Sequence, residues 1–226
     1  ATIEAVLAHL EALRQEKAVL TTSGERLEEL EAMMVRKFEE YAGLARSLGA
    51  IRRSAAVELG RLIEKEIASL GMKRAGFNVR INEVAPSLGA ENTIRDQGSE
   101  DVEFLISPNP GEELRPLRRI ASGGELSRIM LSLKSVGKET ESRKTLVFDE
   151  IDSGIGGKTA ESIALKLKRL AARHQVLCIT HLPQIASAAS HHFHVEKRVE
   201  KDRTFTTAGG LKPEDRVTEI ARLIAG

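Results

Sequence analysis

Residues suited to handling phosphate lie between Ser122 and His181. Lys144-Thr-Leu-Val-Phe-Asp-Glu150 sets the apolar run Leu146, Val147, Phe148 in front of two carboxylates. An uninterrupted apolar run of this kind predicts a strand buried on both faces of a parallel sheet. Asp149 and Glu150 then stand at the carboxyl edge of that sheet, where open α/β folds bind ligands. A carboxylate there can hold a Mg²⁺ that bridges nucleotide phosphates. The next one, pointing to the other side, can orient or deprotonate an attacking water. Taken alone, the same run equally describes a strand entering an acidic turn.

Ahead of the acids stands Ser122-Gly-Gly-Glu125, followed by a run that reads as a helix. Two glycines at a loop-to-helix junction let a backbone approach an anion closely, with unpaired amides and the positive end of the helix macrodipole aimed at it. Ser122 fits the N-cap, and Glu125 three residues on completes a capping box. Ser-x-x-Glu also caps helices that bind nothing. Downstream, Gln175-Val-Leu-Cys-Ile-Thr-His181 reads as a second buried strand whose terminal imidazole reaches the same sheet edge. A lone histidine there is otherwise a satisfied polar group.

In this order and at these spacings the blocks resemble the head of the ABC-type ATPases, and more narrowly the SMC-like ATPases of bacterial double-strand-break repair. The matching text is Arg118-Arg-Ile-Ala-Ser-Gly-Gly-Glu-Leu-Ser-Arg128, Phe148-Asp-Glu-Ile-Asp-Ser-Gly-Ile-Gly-Gly157 and Thr180-His-Leu-Pro-Gln-Ile-Ala186. The match is dense from Leu114 to Lys197 and looser outside. The resemblance implies that Ala121-Ser-Gly-Gly-Glu125 carries the signature motif, in which Ser122, Gly123, Gly124 and Glu125 bind nucleotide. It makes Asp149 the Walker B ligand of Mg²⁺, Glu150 the catalytic base, Asp152 the D-loop acid at the nucleotide, and His181 the switch histidine near the γ-phosphate. Just past the sheet edge, Asp152 is placed to couple two apposed sites.

ATP and Mg²⁺ are the implied cofactors. The implied partners are a second head in a homodimer, DNA, and an amino-terminal lobe that carries the Walker A loop and the other coiled-coil arm. The glycine amides and the two acids would then serve nucleotide pockets from opposite partners. The implied setting is the bacterial cytoplasm and nucleoid. Two alternatives stay open: a DNA-tethering scaffold that uses ATP as a clamp with incidental turnover, and another SMC-like or ABC-type ATPase.

One departure matters more than any match. Gly156-Gly157-Lys158-Thr159 is the nearest thing to a phosphate loop, yet Gly-x-x-x-x-Gly-Lys-Thr needs a glycine where Asp152 stands. Ser153-Gly-Ile-Gly-Gly157 reads better as the turn into the next helix. The chain is therefore expected to be the carboxyl-terminal part of a head, inactive on its own.

The elements that must position these groups follow from composition and periodicity. The chain has 226 residues with 34 basic and 33 acidic side chains, a net charge of +1, so bulk charge makes no case for nucleic acid. Aromatics at 3% with no tryptophan argue against a base-stacking platform for single strands. The single cysteine, Cys178, sits in an apolar strand, as in a reducing compartment. No apolar run is long enough to span a bilayer. The expected fold class is α/β: a lobe with a mainly parallel sheet flanked by helices over residues 71 to 226, after an amino-terminal coiled-coil arm over residues 1 to 70.

In that arm Ile3, Val6, Leu10, Leu13 and Leu20 follow a heptad seam that is expected to break at Thr21-Thr-Ser-Gly24. Thr22 and Glu25 form a capping box that restarts a helix, and a second seam runs through Leu27, Leu30, Met34, Tyr41, Leu44, Leu48 and Ile51, shifting again before Leu59, Ile63, Ile67 and Leu70. That stretch of about 45 residues would span roughly 65 to 70 Å and needs a partner, either another arm or a helical bundle. Phe77 to Ile81 and Asp101 to Ser107 predict a hairpin around a polar stretch, Asn82 to Glu100. Arg115, Arg118 and Arg119 read either as solvated charges or as contacts to phosphate across a head–head interface. Pro183 to Ala189 predicts a short helix, and His192 to Val199 with Arg203 to Thr207 a strand pair joined by a charged turn. His191, His192 and His194 have no Cys or acidic ligand at conventional zinc spacing. Pro213 to Ala225 closes the chain as an amphipathic helix with Val217, Ile220, Leu223 and Ile224 on its apolar side.

Overall fold

The computed structural model describes residues 2–90, 93–120, 122–137, 142–200 and 203–225. Ala121, the first residue of the expected signature, and the charged turn at 201–202 lie outside the described residues. Helix α1 runs from Ile3 to Ala68 as one element of 66 residues. The break expected at Thr21 to Gly24 does not occur. Just before the expected cap at Thr22, Thr21 Oγ1 donates to Lys17 O at 2.8 Å, folding its hydroxyl back onto the continuous helix. Gly24 has no side-chain neighbour within 4 Å, so the helix passes through it at only the cost of glycine's backbone freedom.

The chain forms two units, one comprising residues 1–54 and 81–101, the other residues 55–80 and 102–226. In the first, the polar stretch after Ile81 is fastened along the helix. Arg95 N donates to Tyr41 Oη at 3.0 Å, and Arg52 Nη1 pairs with the buried Glu100 carboxylate at 2.9 Å. The predicted seam residues Ile3, Val6, Leu10, Leu13, Leu20, Leu27, Leu30 and Met34 all lie exposed on α1.

The second unit holds the expected chemistry. Strands β1 (Gly76–Glu83), β2 (Glu100–Ser107) and β3 (Arg115–Pro116) form one sheet in that order. A single 3₁₀ turn, Leu117–Arg119, leads on to α2 (Gly123–Val136). Strand β4 (Thr145–Phe148) lies parallel to β5 (Gln175–Cys178), with Phe148 opposite Cys178, and α3 (Gly157–Ala171) connects them. Helix α4 (Pro183–Ala188), the antiparallel pair β6 (Phe193–Glu200) and β7 (Arg203–Gly210), and α5 (Pro213–Ala225) complete the unit. The fold class is α/β, and its parallel part is the β4–β5 pair.

Helix α3 shows why the pair sits where it does. Ala160, Ile163, Ala164, Leu167 and Leu170 recur at three- and four-residue steps, and all are buried against Phe148, Ile151 and Ile185. A second cluster packs Ile63, Ile67, Met72, Phe77 and Ile106 around Ile129. Because Ile129 belongs to one cluster and Leu131 to the other, α2 is fixed from two sides.

Two packing expectations need correction. β4 is buried on one face only: Leu146 and Phe148 meet the core, whereas Val147 is 63% exposed, Leu177 47% and Ile179 61%. The residues of a two-stranded pair alternate, so the face opposite α3 has nothing over it among the described residues. In α5, Ile220 and Leu223 are half-buried, but Val217 and Ile224 are exposed. That helix is anchored by polar contact instead, Arg216 Nη2 donating to Ser187 O at 2.9 Å and Ala186 O at 3.2 Å at the end of α4.

Candidate nucleotide site

Ser122 caps α2 in extended geometry, φ −92° and ψ 117°, and its hydroxyl accepts from Glu125 N at 3.4 Å. The first helical bond is Leu126 N to Ser122 O, 3.1 Å, which leaves the Gly123 and Gly124 amides outside the helix's own ladder. The other half of the predicted capping box, Glu125 back to the Ser122 amide, is absent from the hydrogen bonds of the described residues. The positive end of α2 is thus formed by two glycines and a hydroxyl, the donor set an anion calls for, with Ser122 and Gly123 exposed and Gly124 buried.

The loop Asp149–Ser153 lies directly against that end. Ser127 Oγ donates to Asp149 O at 2.7 Å. A Cβ on Gly123 would collide with the Glu150 carboxylate, and one on Gly124 would come 2.9 Å from Glu150 O and 2.9 Å from Ser153 Cβ. At Gly124, where the opposing atom is backbone, only glycine permits this approach. The glycine pair and Glu150, expected to act from opposite partners, therefore touch within one chain. Glu150 itself has φ 54°, the only positive value for a non-glycine among the described residues. A side chain in that region costs on the order of 1–2 kcal/mol and is concentrated at working sites.

Both acids are exposed at the carboxyl end of β4, as the apolar run predicted. Asp149 Oδ1 accepts from Glu150 N at 2.9 Å. Among the described residues no group of three or more His, Cys, Asp or Glu is gathered to cage a metal. A single exposed carboxylate suits Mg²⁺, which binds through one or two carboxylates plus substrate phosphate oxygens. The residues present therefore fit both a phosphate chain and its Mg²⁺.

Asp152 is placed differently from expectation. It is 4% exposed, and its Oδ2 accepts from Thr180 Oγ1 at 2.5 Å and from His181 N at 2.9 Å, with His181 Nδ1 at 3.1 Å. It organises the turn after β5 inside the protomer instead of reaching an apposed site. With Nδ1 held against a carboxylate, the 73% exposed imidazole presents Nε2 outward. Asp152 also stands where a phosphate loop would need its first glycine. A buried carboxylate there excludes phosphate, and Gly156 to Thr159 form the N-cap and first turn of α3, as the sequence implied.

The remaining candidates fall outside this cluster. Arg118 Nη2 pairs with Glu103 Oε1 at 3.3 Å, and the side chain stays largely exposed. His194 Nε2 lies 3.8 Å from Glu219, whose carboxyl the Arg222 hydrogen bond holds below the usual carboxylate range against the opposing pull of burial. Burial pushes the Cys178 thiol up to about 12, so it is inert as a nucleophile. The sequence reading missed Ser127 and Arg128, which follow the glycine motif in the primary structure and whose reach to the acidic loop depends on tertiary packing.

No family model matches the chain. Among curated proteins it is 35% identical over 225 residues to DNA repair protein RecN of Halalkalibacterium halodurans, covering 100% of this chain and 39% of that protein. It is 40% identical over 225 residues to DNA repair protein RecN of Treponema pallidum, again 100% of this chain and 39% of the relative. With DNA repair protein RecN of Deinococcus radiodurans the identity is 42% over 188 residues, 83% of this chain and 32% of that one. The chain thus spans about two fifths of the length of these relatives. Among solved structures it is similar to the Smc head domain with a coiled coil and joint from Pyrococcus yayanosii, with TM-score 0.60 and 15% identity over 98% of this chain and 39% of that one. It is also similar to the Smc head domain with an extended coiled coil from Pyrococcus furiosus, with TM-score 0.50 and 16% identity over 96% of this chain and 49% of that one. At these identities the structural likeness is one of fold.

Proposed function

From the chain's similarity along its whole length to the carboxyl-terminal part of RecN proteins, we propose that it is the corresponding lobe of an SMC-like ATPase head that acts in recombinational repair of DNA double-strand breaks. The observation that carries the reading is a single loop. Asp149–Ser153 touches the glycine end of α2 on one side and the Thr180–His181 turn on the other, and carries the two exposed acids between them. Three separate sequence blocks meet there.

In this reading the Gly123 and Gly124 amides and the Ser122 hydroxyl bind the γ-phosphate of a nucleotide held mainly by a second head, and Glu125 supports that turn from α2. Asp149 holds Mg²⁺, which supplies charge neutralisation at the phosphates. Glu150 orients the attacking water and takes its proton. His181 presents Nε2 toward the same edge, oriented by Asp152. The exposed face of Val147, Leu177 and Ile179 is where we place the lobe that carries the phosphate loop. The seam on α1 takes the second arm of the coiled coil. Nucleotide binding closes a homodimer of heads and hydrolysis reopens it, while DNA is the cargo.

Glu150→Gln in the full-length protein tests this. It should leave ATP binding intact, lower turnover by about 10²-fold or more as the general base is lost, and favour head dimers in size-exclusion chromatography. Undiminished turnover would remove Glu150 from the base role. Repair in cells that survives the loss of hydrolysis would instead favour a DNA-tethering scaffold that uses ATP as a clamp.

A further inference from the structure

Two neighbours on α2 hydrogen-bond to the backbone carbonyls of the acidic loop, and neither belongs to the site as assigned. Ser127 Oγ donates to Asp149 O at 2.7 Å. The buried Arg128 donates from Nη1 to Ser153 O at 2.9 Å and to Ile151 O at 3.4 Å. The bonded carbonyls therefore flank Glu150 before and after it in the chain. Between them Glu150 keeps φ 54°, and its own carbonyl lies where a Cβ on Gly124 would come within 2.9 Å.

A positive φ in a residue with a Cβ persists only where its surroundings over-determine it. Here one helix fixes the backbone on both sides of the strained residue. Arg128 reaches both carbonyls from one nitrogen, Nη1, whose two N–H groups are fixed in the guanidinium plane, a geometry an ammonium lacks. Its Nη1 also lies 3.3 Å from the position of a Cβ on Gly124, so the guanidinium and the glycine share one narrow gap.

We infer that Ser127 and Arg128 are positioning residues for hydrolysis: they clamp the Asp149–Ser153 backbone so that Glu150 is held in its strained setting beside the anion-binding end of α2. The inference rests on the ATPase reading above. Neither residue touches the reacting atoms. Both make the glycine end of α2 and the base of the same protomer one rigid piece, so a phosphate that engages the glycines is felt at Glu150.

The test is steady-state ATP hydrolysis by the full-length protein as wild type, E150Q, S127A, R128M and R128K, with thermal unfolding of each. S127A and R128M should each lower kcat about tenfold, which is 1.4 kcal/mol in the barrier. The KM for ATP should stay within about twofold, since only transition-state placement is disturbed. R128K, which keeps the charged donor but not the planar head, should recover part of the loss. S127A in the E150Q background should add nothing. S127A removes a half-exposed hydroxyl, so it reports even if R128M fails to fold. If E150Q abolishes turnover but S127A and R128M keep the wild-type kcat, the clamp is wrong and the ATPase reading stands. If KM rises with the loss of kcat, or the loss matches the unfolded fraction, the two residues are merely structural and the inference falls. If E150Q is as active as wild type, the parent reading fails and takes the clamp with it.

Discussion

Asp152 collects three contacts at one oxygen, from the Thr180 hydroxyl, the His181 amide and the His181 ring. Asparagine has nearly the same shape but offers a neutral acceptor and an amino group that competes for the same space. Asp152→Asn should therefore cost about 1–3 kcal/mol of stability, the usual penalty for buried donors left poorly paired. Urea unfolding measures it, and an unchanged midpoint would mean that the turn is held by something else. The type of this residue was legible in the sequence, but its partners were not. Asp152 and Thr180 are 28 positions apart, and only the register that sets Phe148 opposite Cys178 brings them together. Ser122, by contrast, was readable because a cap is decided within four residues.

The alternation in β1 and the capped start of α2 came out as expected, because both are local signals, and local signals survive the loss of context. The break in α1 was misread because Thr-Thr-Ser-Gly scores as a stop by propensity alone, while propensity is a weak prior in a helix this long. Replacing Gly24 by alanine checks the correction. If the helix is continuous through it, the change should stabilise by roughly 0.5–1 kcal/mol, because glycine's extra freedom is lost with no steric conflict. Circular dichroism with thermal unfolding reads this out. A destabilised variant would restore the break.

For the whole chain, the missing information is what covers it. The apolar run of β4 pointed to burial on two faces because such runs usually sit in sheets covered on both sides, yet Val147, Leu177 and Ile179 stand open. On the proposed reading, the second face of the run is apolar because another lobe covers it. Val147→Asp should then cost less than about 0.5 kcal/mol in the isolated chain, as surface substitutions do. In the full-length protein the same change should abolish ATP turnover. The isolated wild-type chain should bind ATP weakly and hydrolyse essentially none, and sustained turnover by the purified chain would contradict the half-head reading. Equal tolerance of Val147→Asp in both settings would sink the covered-face argument.

On the proposed reading, the torsion at Glu150 sets stability and activity against each other at a single bond. Glycine adopts φ 54° freely, so Glu150→Gly should match or exceed the wild type in melting temperature while removing the proposed base at the edge of β4. A screen for heat resistance alone would drift toward that variant, and selection for a working machine would have to reject it each time it arose.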